Sequence, residues 1–113
     1  MATYVHETVH SGAETLNDQL AGTAVAFAGA TGTVRAAFAA SDGTNTATLK
    51  GGTSGREIIP SGSHAAQRTL ADMGAHLEGD FFIYEGQVEP GERLDLQIVA
   101  AAASTSAVGV RTD

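Results

Sequence analysis

The clearest pattern in this chain is an alternation of apolar and polar residues near its end. Leu94, Leu96 and Ile98 lie on one face of an extended backbone there, while Asp95 and Gln97 lie on the other. A spacing of two is typical of a half-buried antiparallel β-strand, because successive side chains of a strand point to opposite faces. The Glu-Pro-Gly-Glu sequence just before this run is a turn signal, so the run predicts a strand that begins after a tight turn.

Further runs of the same kind occur along the whole chain. Gly, Pro, Asp and Ser separate them at intervals of roughly ten residues, which is the spacing of an all-β sandwich or barrel. We therefore predict an antiparallel β-sandwich, jelly-roll-like, with eight or nine short strands. Besides the run above, the predicted strands are residues 3–10, 23–28, 33–40, 45–50, 56–59 and 80–84, and a last strand that contains Val108 and Val110.

Three segments carry more specific local signals. Asp42-Gly43 lies between two alternating runs and predicts a type I′ hairpin that joins residues 33–40 to residues 45–50. Leu16 and Leu20 are four residues apart, which indicates a short helical turn. Residues 65–77 have helical spacing of their apolar side chains but an internal glycine, so a short helix and a strand both stay open.

Length and composition favour one domain with a thin core. The chain has 113 residues, a length typical of a single domain. We predict an extended N-terminal arm over residues 1–11 and a single β-sandwich domain over residues 12–113. Alanine is frequent and only 5% of the residues are aromatic, so each buried side chain contributes little apolar area. Burial between subunits would compensate, which favours a homo-oligomer.

The charge balance and the absence of cysteine exclude several classes of partner and site. Six basic and thirteen acidic residues give a net charge of −7, which disfavours binding to nucleic acid or to anionic membranes. Without cysteine there are no disulfides and no thiolate metal sites. We also find neither the pattern of a signal peptide nor an apolar run long enough to span a membrane, so we expect synthesis in the cytoplasm.

One short motif suggests metallopeptidase chemistry. His6-Glu7-Thr8-Val9-His10 matches the H-E-x-x-H pattern, in which a helix brings both imidazoles to one zinc ion. Here the segment alternates like a strand, and a strand would separate His6 from His10 by about 13 Å. We therefore interpret the match as coincidental and predict no metal site. His64 and His76 are isolated in the sequence and are interpreted as structural.

A group of carboxylates is the other candidate site. Glu85, Glu89, Glu92 and Asp95 cluster in and around one turn, where they could bind calcium or act as an acid–base pair. A solvated acidic loop is the alternative, and the absence of a calcium-loop pattern favours it. No Gly-x-Ser-x-Gly or phosphate-binding glycine motif is present, so we predict no catalytic residue, no cofactor and no enzyme activity.

The Asp-Gly turn at 42–43, the Phe-Phe-Ile-Tyr run at 81–84 and the turn and strand at 90–98 give the chain a resemblance to a known group of proteins. It resembles the small jelly-roll virion proteins of tailed bacteriophages. The resemblance implies a capsid decoration (cement) protein, located in the virion, that stabilises the viral shell. It also implies a homo-oligomer, most simply a trimer, bound to the major capsid protein.

In that interpretation the N-terminal arm provides the interaction site. An extended arm can add to the edge of a neighbouring sheet through its main chain. The residues that we expect to take part are Thr3, Tyr4, Val5, His6 and Val9. Two alternatives stay open, a main shell or tail subunit of a virus-like particle and a soluble β-sandwich that binds a small ligand or sugar. The scarcity of aromatic residues weakens the sugar-binding alternative.

Overall fold

In the computed structural model, residues 2–41, 44–60 and 84–113 are described below. They contain eight β-strands and no helix, which confirms the predicted all-β fold. No helix in these ranges could span a membrane. The strands are β1 (Ala2–His10), β2 (Glu14–Leu16), β3 (Thr33–Ala40), β4 (Thr46–Gly51), β5 (Glu57–Ile59), β6 (Tyr84–Gln87), β7 (Leu94–Ala100) and β8 (Ser104–Thr112).

The strands form two antiparallel sheets of four strands each. Sheet A has the order β1-β8-β3-β6, and sheet B has the order β2-β7-β4-β5. The pairs β1 with β8, β2 with β7, β3 with β6 and β4 with β5 are nested inside one another. Nested pairs of this kind describe one long antiparallel hairpin that is rolled into two sheets, which is the jelly-roll form of the β-sandwich.

The core lies between the inner faces of the two sheets. In β7 the predicted face of Leu94, Leu96 and Ile98 is fully buried, and the intervening residues are only partly buried. Sheet A contributes Phe38 from β3, the largest fully buried side chain among the described residues. Alanines fill much of the remaining inner surface, as at Ala36 and Ala47, so the sheets pack through small side chains as the composition predicts.

Three local predictions are wrong. The segment 33–40 does not form a hairpin with 45–50, because β3 pairs with β6 and β8 in sheet A while β4 pairs with β5 and β7 in sheet B. Residues 23–28 form turns, with one isolated bridge from Phe27 to Arg93, instead of a strand. The helical turn that Leu16 and Leu20 suggested is replaced by the short strand β2 and a turn.

Within the predicted arm at residues 1–11, Ala2–His10 form β1. All nine residues of β1 pair with β8 of the same chain, from Ala2 opposite Thr112 to His10 opposite Ser104. β1 is thus one of the outermost strands of sheet A. The helix-or-strand segment at 65–77, both histidines at 64 and 76, and residues 81–83 of the aromatic run lie outside the described residues.

Candidate functional site

The residues predicted for interaction all lie on β1 and divide between its two faces. Thr3, Val5 and Val9 are exposed on the face that points away from the sandwich, with Val5 49% and Val9 77% exposed. Tyr4 packs partly against the core, and its ring stacks on that of His6 at a centroid distance of 6.0 Å. Because β8 covers only one side of β1, the structure places the five residues together on one sheet edge.

The outermost strands of the two sheets differ greatly in length. β1 has nine residues, whereas β2 and β5 have three each, and β6 has four within the described residues, which resume at Tyr84. β5 is followed directly by Pro60, a residue that lacks the N–H needed to extend a ladder. Short strands and prolines are common means by which proteins protect sheet edges from pairing with other chains. β1 carries no proline, lysine or arginine, and its only full charge is Glu7.

The H-E-x-x-H residues do not converge on a metal. His6 and His10 lie on the same extended strand, as the alternating pattern indicated. His6 is exposed, while His10 is 2% exposed and bonds to other side chains. Among the described residues, no group of three or more His, Asp or Glu side chains could hold a metal ion.

His10 belongs to a polar cluster at one end of the sandwich, which we call the His10 cluster. Its members are the buried His10, Asn45 and Ser106 and the half-buried Glu14 and Ser104. His10 Nδ1 lies 2.6 Å from Glu14 Oε1, and His10 Nε2 lies 2.9 Å from Ser106 Oγ. Asn45 Nδ2 donates to Ser106 Oγ at 3.0 Å and to Ser104 Oγ at 2.9 Å. These bonds connect β1, β2 and β8 to the start of β4, so the cluster joins the two sheets.

The hydrogen-bond directions in this cluster follow from the chemistry of its members. An ionised carboxylate can only accept, so the Nδ1–H of His10 donates to Glu14. In the tautomer that carries its proton on Nδ1, Nε2 accepts from the hydroxyl of Ser106, and the Ser106 oxygen accepts from Asn45. The order Ser–His–Glu is the order of a hydrolytic triad. However, Ser106 is 1% exposed near the start of β8, where a substrate carbonyl could not reach its hydroxyl, so in this arrangement the cluster links strands.

A second buried cluster surrounds Glu92, one of the residues of the predicted acidic turn. Its carboxylate accepts hydrogen bonds from the backbone N–H groups of Ser54 at 2.6 Å, Thr53 at 2.9 Å and Glu89 at 3.1 Å. The hydroxyl of Ser54 donates to the same carboxylate at 2.8 Å. The Ser54 backbone N–H, with help from the other donors, lowers the pKa of Glu92 to about 2, although burial opposes the shift. Glu92 thus fixes the loop that follows β4.

The other carboxylates of the acidic turn point to different partners. Glu85 pairs with Arg35 at 2.9 Å, and Glu89 pairs with Arg56 at 3.7 Å. Asp95 lies opposite Lys50 in the pairing of β7 with β4. The four carboxylates therefore do not meet at one point. The predicted solvated loop is wrong for Glu92, which is buried, while Glu85 and Glu89 are exposed as expected.

Sequence reasoning missed most of the His10 cluster. Ser106 lies 96 positions from His10 and 61 positions from Asn45, so no local spacing connects them. Only Glu14 is close in sequence, four residues after His10. A signal was present in β8, where Ser104 and Ser106 lie on the same face of the strand as the core residues Val108 and Val110. Polar residues on an inward-facing row of a strand indicate buried hydrogen bonds.

Comparisons of this chain with protein-family models, with curated proteins and with solved structures found no match. Its function must therefore be inferred from three features of the molecule. These are the jelly-roll connectivity, the two buried polar clusters and the long outermost strand β1.

Proposed function

We propose that this protein is a structural subunit of a viral particle, a capsid decoration protein that self-associates and stabilises a shell of major capsid protein. The observation that carries the proposal is the contrast between β1 and the other outermost strands. Two of those strands, β2 and β5, have only three residues each, whereas β1 offers nine. A jelly-roll domain with one long outermost strand is suited to pairing with other subunits.

The interior of the sandwich supports a structural role over a ligand-binding role. Phe38, Leu49 and Leu96 are fully buried between the two sheets and pack in one continuous core. The polar groups of the His10 cluster bond to one another, and the Glu92 carboxylate bonds to the adjacent loop. These contacts use the buried polar groups to hold the fold, while β1 remains exposed for contact with other molecules.

The charge of the chain supports a position on the outer surface of a shell. A net charge of −7 repels phosphate, so contact with packaged nucleic acid would be unfavourable. Contact between protein subunits through main-chain hydrogen bonds does not depend on the net charge in this way.

The first test is the mass of the purified protein in solution, measured by light scattering over a series of concentrations. We expect a defined oligomer, with a mass that is an integer multiple of the 11.4 kDa chain. A monomer at every concentration would contradict self-association. The virion role is tested separately with antibodies against the purified protein. They should label the outer surface of intact viral particles from the source sample, and an absence of labelling would contradict that role.

A further inference from the structure

We propose that β1 pairs antiparallel with β1 of a second copy of this chain, across a two-fold axis close to Val5. The two A sheets would then form one continuous eight-stranded sheet. This inference rests on the proposed function, because it names the surface by which the protein self-associates. It also departs from the trimer implied by the bacteriophage resemblance, since pairing of one edge with itself gives a dimer.

The geometry of β1 favours pairing along an edge. Nine extended residues span about 30 Å, and every second residue of an outermost strand directs its N–H and C=O away from the sheet. Thr3, Val5, His6 and Glu7 are exposed along this strand. The usual protective devices, a lysine, a proline or a very short strand, are absent from β1. The outer edge of β1 thus pairs with no described strand and lies beside the exposed side chain of Val5.

A second copy of β1 is a suitable partner because the strand is complementary to itself. A two-fold axis normal to the sheet preserves its two faces, so residues of the same face meet across the contact. β1 carries one full charge, Glu7, so pairing two copies brings together few like charges. The symmetry also closes the assembly, since each copy uses its only long outermost strand among the described residues.

Three registers place the axis near the middle of β1, and they differ in the pairs that they create. An axis at Glu7 would put two carboxylates directly opposite each other, which is unfavourable. An axis at His6 would put each Val5 opposite a Glu7. An axis at Val5 puts Val5 opposite Val5 of the second copy and Thr3 opposite Glu7 of the second copy. We choose this last register because it pairs the exposed Val5 side chains with each other and separates the two Glu7 carboxylates.

The register at Val5 also extends a contact that exists within one chain. Tyr4 and His6 already stack on each other along β1. With the axis at Val5, Tyr4 of one copy lies opposite His6 of the other, so four rings form one group on the inner side of the joined sheet. Aromatic pairs across neighbouring strands are stabilising.

Single cysteines test this register, and the natural chain has no cysteine to interfere. In a directly opposite pair the Cβ atoms are about 4.5–5.5 Å apart, so Val5→Cys should form a disulfide-linked dimer under mild oxidation. Val9→Cys is the matched control on the same face of the same strand, and it is the more exposed position. In the Val5 register its two copies lie about 26 Å apart and should not cross-link. Reducing and non-reducing gels give the readout.

The other outcomes overturn defined parts of the inference. Cross-linking of His6→Cys or Glu7→Cys in place of Val5→Cys would overturn the register. If the wild-type protein is a dimer but none of these variants cross-links, β1 pairing is wrong while self-association stands. If the wild-type protein is a monomer at every concentration, both proposals fail. If β1 pairs only with a strand of added shell protein, the partner of this edge is the shell protein. That outcome would overturn the pairing with a second copy.

A second pair of variants avoids dependence on cysteine chemistry. Val5→Lys places two ammonium groups opposite each other at the axis, so the variant should be monomeric at concentrations where the wild-type protein is a dimer. Val9→Lys lies beyond the paired residues and should stay dimeric. Light scattering measures the mass, and circular dichroism confirms that both variants keep the wild-type fold. Equal behaviour of the two lysine variants would contradict the inference.

Discussion

The two polar clusters lie at opposite ends of β4, and they use hydrogen bonds differently. Asn45 of the His10 cluster precedes β4, whereas the loop held by Glu92 begins at Gly51, the last residue of β4. The six residues of β4 separate these ends by about 20 Å. In the His10 cluster, side chains bond to side chains from both sheets. In the Glu92 cluster, one carboxylate bonds mainly to backbone N–H groups of two loops, the loop after β4 and the turn before β7.

This difference shows two distinct uses of buried polarity in one small core. The His10 cluster connects the sheets where the apolar core ends, so its loss should affect the whole sandwich. The Glu92 cluster fixes a loop of irregular backbone, whose N–H groups would otherwise lack partners. Variants at the two ends can therefore be compared directly in the same protein.

The largest effect is expected at the His10 end, from Asn45→Ala. The change removes the donor to Ser104 and Ser106 and the acceptor of the Ala101 N–H, which lies 3.3 Å from Asn45 Oδ1. Leaving buried polar groups without partners should lower the free energy of unfolding by about 3 kcal/mol. Urea denaturation followed by circular dichroism measures this loss.

Asn17→Ala is the matched control, because Asn17 is an exposed asparagine that bonds to Gln97. Exposed substitutions of this kind usually change stability by less than about 0.5 kcal/mol. Similar losses for Asn17→Ala and Asn45→Ala would show that the His10 cluster contributes no more than a surface contact.

A smaller effect is expected at the Glu92 end, from Gly51→Ala. The added methyl group would collide with the Glu92 carboxylate and come within 2.8 Å of Ser54 Oγ. Displacing these groups should cost about 2 kcal/mol, as is typical of an overfilled site. Gly12→Ala is the control, since a Cβ there would meet nothing within 4 Å. If both variants unfold at the same urea concentration, the contact between Gly51 and the carboxylate is not tight.

The smallest effect is a difference in pH dependence, produced by Glu92→Gln. The pKa of Glu92 falls from an ordinary value of 4.5 to about 2 on folding, so ionised Glu92 stabilises the folded state. That contribution is complete above pH 4.5 and is lost as the pH falls towards 2. The difference in stability between wild type and Glu92→Gln should therefore be greatest above pH 4.5 and shrink between pH 4.5 and 2.

Urea denaturation of both proteins over this pH range measures that difference. Glu89→Gln is the control, because Glu89 is an exposed carboxylate in the same turn, whose side chain forms a long ion pair with the exposed Arg56 at 3.7 Å. It corrects for the loss of one negative charge. A difference between wild type and Glu92→Gln that stays constant from pH 6 to pH 2 would contradict the proposed role of the ionised carboxylate.

The alternating pattern predicted strands well where one face of a strand packs on the core. In β7 the apolar positions of the sequence are the buried positions of the structure. Residues 23–28 were predicted wrongly as a strand. Val25 and Ala28 are buried, but the backbone there forms turns, and burial alone does not distinguish a turn from a strand.

Features that depend on distant parts of the chain could not be predicted in the same way. The alternation of apolar and polar side chains indicates that 33–40 and 45–50 are strands. It does not indicate that they belong to different sheets. An Asp-Gly pair favours a hairpin between its two neighbouring strands. The longer pairing of β3 with β8 outweighs this local preference and places β3 in sheet A. Likewise, the identification of His10 and Ser106 as partners requires knowledge that β1 and β8 are neighbours.

The nesting of the strand pairs has a consequence during synthesis of the protein. β1 is made first, and β8, its only partner strand among the described residues, is made about a hundred residues later. At about 5–20 residues per second, the ribosome needs roughly 5–20 s to produce that partner. During this interval both sides of β1 are open, and nascent chains on neighbouring ribosomes of one message could meet through the same strand.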